Sequence, residues 1–194
     1  MCLAVFSAST EKSQRSDHMK RVLILSSSPR KNGNSQMLCE QFRAGAEAAG
    51  NQVQLVRLAE KRLDSAGPVM RMRNGGTCVQ KDDMKELLDA FQQADVLVLA
   101  TPVYFYGICA QMKVFIDRTY PIWQHLGEKE VYYIISAGLD RKIIERSLGD
   151  LDGFVEHLDR YEIKGRLYAE DVMEAGAVAG TPLLEKAYHM GEQV

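Results

Sequence analysis

The chain has 194 residues, a formal net charge of −2, 46% hydrophobic residues and 26% charged residues. That length suits one core, and the composition is that of an ordinary globular protein. The near-neutral balance offers no basic field for nucleic acid, it is far less acidic than a carrier docking by charge alone would need, and no apolar run approaches a membrane span.

Cys2, Cys39, Cys78 and Cys109 are widely scattered. A chain of this size needs no disulfide staples, so a reducing, cytoplasmic setting is expected. The first residues, "MCLAVFSAST", carry an apolar run of only five residues with no cation ahead of it. That is a poor secretory signal. A polar stretch follows, and Met19 stands immediately before the first strand pattern. Residues 1–18 are therefore expected to be an extension outside the fold, and residues 19–194 a single domain, with translation from Met19 conceivable.

"RVLIL" (Arg21 to Leu25) is a continuous apolar run, the mark of a strand buried on both faces. Residues 35–49 place Leu38, Phe42, Gly45 and Ala49 at helical spacing, and Gly50 ends that helix. Gln52 to Leu58 alternates like a strand near a sheet edge. Residues 59–81 read as an irregular loop rich in Gly and Arg. Asp82 and Asp83 open a helix with Met84, Leu87, Leu88 and Phe91 on one face, and acids there suit the dipole. "DVLVLATPVY" (95–104) is a second apolar strand, followed by a helix carrying Met112, Phe115 and Ile116. "VYYIISAG" (131–138) is a third. Residues 141–160 form a helical stripe weakened by Gly149 and Gly153, Ile163 to Ala169 a last strand, and 181–191 a closing helix.

Five strands alternating with five helices predict an α/β fold: a five-stranded parallel sheet with helices on both faces. Ligands of such sheets bind beyond the carboxyl ends of the strands, where strand order switches. The loops after the three most buried strands are therefore the places to look for chemistry.

The first is "SSSPRKNGNSQ" (26–36). Backbone N–H groups at a helix N-terminus favour an anion. Ser28, Asn34, Ser35 and Gln36 add donors, and Arg30 adds a charged fork. Asn34 and Ser35 would also serve as simple N-caps, but the density of donors at a strand end favours a phosphate. No G-x-G-x-x-G follows the first strand and no G-x-x-x-x-G-K-[ST] occurs, so neither a standard dinucleotide site nor a P-loop is indicated. The second loop, "TPVYFYG" (101–107), carries Tyr104, Phe105 and Tyr106. Neighbours in an extended segment face opposite ways, so at least one should face the crevice as a wall for a flat ring. Pro102 is expected to set the turn and Gly107 to release it. The third loop, "SAGLD" (136–140), has small residues that let amides approach a ligand edge. Phosphate site, aromatic wall and backbone-rich edge together match a mononucleotide with a large flat ring, such as flavin mononucleotide (FMN).

"SSSPRKNGNS", followed by "TPVYFYGICAQMKVFIDR", resembles the NADPH-dependent FMN reductase family with its flavodoxin-like, three-layer fold, over residues 20–194. The resemblance implies that Ser28, Arg30, Asn34, Ser35 and Gln36 hold the phosphate. It implies that Pro102, Val103, Tyr104 and Phe105 line the ring, and that Ser136, Ala137 and Gly138 touch its far edge. It further implies tightly bound FMN, hydride from NADPH or NADH, electrons passed to a flavin, quinone or similar small acceptor, and a homodimer or homotetramer. Two departures stand out. Ser27 occupies a position usually held by Gly, where a side chain could narrow the phosphate turn. The segment before "DDM" resembles that of the iron–sulfur flavoprotein branch but keeps only Cys78 of its closely spaced cysteines, so no iron–sulfur cluster is expected.

Because the flavin performs the redox chemistry, no acid or base is required, and Tyr104 is the side chain expected nearest the ring. Lys113 and Asp117 read as a surface ion pair. The scattered histidines lack metal-ligand spacing, and Cys39 and Cys109 should pack in helices as small apolar groups. Two other functions fit the same fold: a flavin-bound electron carrier serving a protein partner, and a flavin-free regulatory module.

Overall fold

The computed structural model of the protein describes residues 19–67 and 80–194. Residues 1–18 and Cys78 lie outside that range, so the expectations about the N-terminal extension and about Cys78 fall outside the described residues.

Five parallel strands form the sheet: β1 (Arg21–Ser26), β2 (Gln52–Arg57), β3 (Val96–Tyr104), β5 (Glu128–Ser136) and β6 (Arg160–Ala169). Their order is β2-β1-β3-β5-β6. This is the flavodoxin-like order, with its switch point between β1 and β3. Among the described residues a sixth strand, β4 (Gly107–Ile108), corrects the expected count of five. It folds back antiparallel on the end of β3, pairing Val103 with Ile108.

Strand residues alternate between two apolar layers, as period-2 geometry dictates. Leu23, Leu25, Leu97, Leu99, Val131 and Tyr133 face α2 (Met84–Gln93), α3 (Ala110–Arg118) and α4 (Arg141–Val155). Val22, Ile24, Val96, Val98, Tyr132 and Ile134 face α1 (Asn34–Ala48) and α5 (Pro182–Glu192). β1 and β3 are therefore apolar on both sides, which is why they read as unbroken hydrophobic runs.

Several boundaries differ from the sequence reading. Pro102 sets no turn; β3 runs straight through it to Tyr104, and the reversal comes at Phe105 and Tyr106. Cys109 is the N-cap of α3 and not a residue within it. The α4 helix ends at Val155, because the chain must turn for Arg160 to pair with Glu128, and Leu158 folds back into the core. It runs on through Gly149 and Gly153, where an added Cβ would meet nothing within 4 Å.

The base of the 61–83 connection is a neck of two antiparallel segments. Asp83 N–H donates to the Arg62 carbonyl at 3.0 Å, and Asp82 accepts from Asp64 N–H at 3.0 Å. Arg118, at the end of α3, locks this neck. Its guanidinium reaches both Asp82 oxygens, at 2.6 and 3.0 Å, and the Asp64 carbonyl at 2.7 Å. Both side chains of the ion pair are buried.

Candidate functional site

A cavity of about 390 Å³ opens beyond the carboxyl ends of β1, β3 and β5. The size suits a small cofactor. One wall is the loop from β1 to α1. The α1 N-cap is Gly33, and no side chain caps the helix. The N–H groups of its first turn therefore lack intrahelical partners and carry the positive end of the dipole. Ser28, Arg30, Gly33, Asn34 and Ser35 line this wall. The turn is tight: a Cβ on Gly33 would lie 3.1 Å from both Ser28 Oγ and Arg30 Cβ. Such a donor set, uncapped and with Arg30 beside it, fits an anionic phosphate group.

The second wall is the hairpin from β3 to β4, with Pro102, Val103, Tyr104, Phe105 and Tyr106 on the cavity. Pro102 is buried, Val103 half-buried and all three aromatic residues are exposed. Phe105 and Tyr106 both have positive φ, at 47° and 67°. These are the signs that a type I′ turn requires at its two central positions, where Asn and Gly are usual. Thr101 fixes the base of the hairpin by accepting from Cys109 N–H at 3.0 Å. Arg146 of α4 lies over the Tyr106 ring, 4.7 Å from its centroid.

The third wall is Ser136, Ala137, Gly138 and Leu139 after β5. Ser136 Oγ is 2.8 Å from Ser35 Oγ, so the first and third walls are joined by a buried hydroxyl pair.

Of the residues singled out from sequence, the structure gathers Ser28, Arg30, Asn34, Ser35, Pro102, Val103, Tyr104, Phe105, Ser136, Ala137 and Gly138 around this one cavity. Gln36 is not on it: its amide donates along the helix to Glu40 at 2.8 Å. Asn34 reaches the cavity, but its side chain is spent on the chain after β6, donating to the Val172 and Glu174 carbonyls. Ser27 does not narrow the turn. Its hydroxyl points down into the sheet and donates to the Ala100 carbonyl at 3.0 Å.

Val172 and Met173 also line the cavity. Sequence reasoning missed them, because no motif marks them and they stand far from the three loops. Only the placement of β6 beside β5 carries them there.

The two described cysteines behave as packing groups. Cys109, beneath the first wall, donates from Sγ to the Ser27 carbonyl, and burial pushes its thiol pKa up. Burial drives Cys39 up to about 12. Neither is poised as a thiolate. Among the described residues, no cluster of three or more His, Cys, Asp or Glu could hold a metal ion, and no helix is long and apolar enough to cross a membrane. Lys113 and Asp117 form the expected exposed ion pair. Trp123 stacks on Tyr120 away from the cavity lining.

The strand order and the layers of helices define an α/β protein of the flavodoxin-like fold. The chain belongs to the NADPH-dependent FMN reductase family, whose model matches residues 20–171. It is 39% identical over 103 residues to an iron–sulfur flavoprotein of Archaeoglobus fulgidus, covering 53% of this chain and 46% of that one. It is 32% identical to an iron–sulfur flavoprotein of Methanocaldococcus jannaschii, covering 53% of each. The match thus spans about half the length of these relatives. Among solved structures, an NAD(P)H:quinone oxidoreductase from Methanothermobacter marburgensis superposes with a TM-score of 0.67 at 18% identity, over 91% of this chain and 97% of that one. At that identity the likeness is one of fold.

Proposed function

We propose that this protein is an FMN-dependent NAD(P)H oxidoreductase that passes electrons to a flavin, quinone or similar planar acceptor. The observation that carries the reading is a single cavity joining an uncapped helix N-terminus to an aromatic-rimmed slot. An anion and a flat ring are the two ends of FMN. Bound there, FMN would take hydride from the nicotinamide and return the electrons to the acceptor.

The chain's own part is to bind and orient. The first-turn N–H groups of α1, with Ser28 and Ser35, are the proposed phosphate donors, and Arg30 supplies the opposing charge. Pro102 and Val103 offer an apolar floor that excludes water from one side of the ring. Tyr104 stands exposed on the cavity lining, where it would be the side chain beside the ring. The backbone of Ser136 to Gly138 would meet the ring edge, held against the first wall by the Ser35–Ser136 hydroxyl pair.

Cytoplasmic residence, a homodimer built on α3 and the Tyr120–Trp123 aromatics, and the lack of an iron–sulfur cluster belong to the same reading. Two described thiols, buried and on different elements, support the last of these.

The test is spectroscopic. Purified protein should be yellow, with flavin absorption that bleaches within seconds when NADPH is added without oxygen, and should carry no stoichiometric iron or sulfide. Bound flavin that NAD(P)H fails to reduce would make this an electron carrier. Protein that binds no flavin at all would leave a regulatory module.

A further inference from the structure

The chain leaving β6 does not go straight to α5. It crosses the cavity first. Val172 N–H donates to the Ala137 carbonyl at 2.9 Å, and Asp171 N–H to that of Leu139 at 3.1 Å, which seats the segment on the third wall. Three successive carbonyls are then held from the first wall. Asn34 Nδ2 donates to Val172 at 3.0 Å and to Glu174 at 2.8 Å, and Arg30 donates to Met173 at 2.9 Å. Asn34 Oδ1 accepts from Val178 N–H at 3.2 Å, and Val178 is fully buried under α1. Every polar atom of the Asn34 side chain is thus committed to this segment.

Met173 fills the gap over Gly138. A Cβ on Gly138 would lie 2.8 Å from both its Sδ and its Cε. The thioether is flexible and polarizable, suited to lie on a ring edge.

We propose that residues 171–178 are the fourth wall of the ligand site, with Asn34 as the positioning residue that clamps it and Met173 as the residue that bounds the ring end. The proposal rests on the flavin reading above, and it moves Asn34 from phosphate ligand to clamp. Arg30 has five donors, so it can hold Met173 and still meet an anion, which ties phosphate occupancy to the strap.

The experiment compares FMN with riboflavin, which lacks the phosphate, and follows amide hydrogen exchange in flavin-free protein. Asn34→Ala should raise both dissociation constants by a common factor of roughly tenfold, the loss of one or two hydrogen bonds. It should also speed exchange of the Val178 amide before any ligand is added. Met173→Ala, at a residue 58% exposed and so safe for folding, should weaken both flavins by roughly three- to tenfold. It should leave Val178 exchange unchanged. Asn34→Ala that weakens FMN alone and leaves Val178 exchange as it was would return Asn34 to the phosphate and overturn the clamp. Met173→Ala without effect on either flavin would remove the fourth wall. Wild-type protein that binds neither flavin would bring down the flavin reading and the wall with it, while the exchange rates still decide whether Asn34 holds the segment.

Discussion

The contact between α1 and α5 and the turn between β3 and β4 use opposite solutions to the same backbone problem. Where α1 meets α5, Gly45 faces the backbone of Tyr188 and Gly191 faces that of Phe42. A Cβ at either position would stand 2.0 or 2.1 Å from a carbonyl oxygen. The two helices touch main chain to main chain, and only glycine permits it. At the cavity mouth the conformation favours Asn or Gly, and the chain places Phe105 and Tyr106 there instead. Positive φ in bulky residues costs roughly 1–3 kcal/mol each. Of these two places, the helix contact takes glycine because close packing demands it, and the turn takes two aromatic residues where conformation alone would favour Asn or Gly. The first region is shaped by stability and the second by what must be displayed at the mouth.

The neck lock belongs with the packed region and should show the largest effect. Asp82→Ala leaves Arg118 charged and buried without its carboxylate, and should cost about 3–5 kcal/mol in urea unfolding. The same pair makes a pH prediction. Burial pushes the Asp82 carboxyl up, but hydrogen bonds from Arg118 and from the Asp64 and Met84 amides outweigh that and hold it below its ordinary value of 3.8. A lowered folded-state pKa means that the unfolded chain takes up the proton first on acidification. The stabilisation is therefore complete above the ordinary carboxylate range and lost as the pH falls below it. An unfolding free energy in Asp82→Ala that kept the same acid dependence as wild type would contradict this.

Gly45→Ala should come next, at about 3 kcal/mol of destabilisation by overpacking, read from the thermal midpoint. Alanine is the better helix former by about 1 kcal/mol, so a midpoint that rises would mean that the helices do not touch as described. Arg30→Ala should weaken FMN by roughly tenfold or more and leave riboflavin nearly unaffected, since a charge-assisted bond to the phosphate is lost. Equal weakening of both would remove Arg30 from the phosphate. The smallest effect has the opposite sign. Tyr106→Gly relieves positive φ and should stabilise the fold by about 1 kcal/mol, less whatever the Arg146 contact contributes. Turnover of planar acceptors should fall at the same time. A variant less stable than wild type would erase the contrast between the two regions.

The parallel layered fold was legible because burial writes itself into sequence. β1 and β3 are apolar on both faces, and the phosphate loop follows β1 without a break. The same holds for most of the cavity, since the loops after β1, β3 and β5 converge by the topology of any such sheet. Gln36 shows the limit: a donor one residue further along a helix turns about 100° away, and spacing alone does not say which way the first turn faces. The β3–β4 turn was hidden for a related reason. Three aromatics in a row carry no turn signal, and positive φ is decided by the hairpin they close.

Which segments are buried strands, and which loop offers an anion its donors, is written in the local sequence, because hydrophobic period and local donor density are properties of neighbours in the chain. The tertiary structure decided that Asn34 grips residues 172–178, that Ser35 meets Ser136, that Met173 covers Gly138, and that Arg118 locks Asp82. Each of these is a contact between residues at least 35 positions apart. Such contacts depend on the order of the strands in the sheet, which no local pattern encodes.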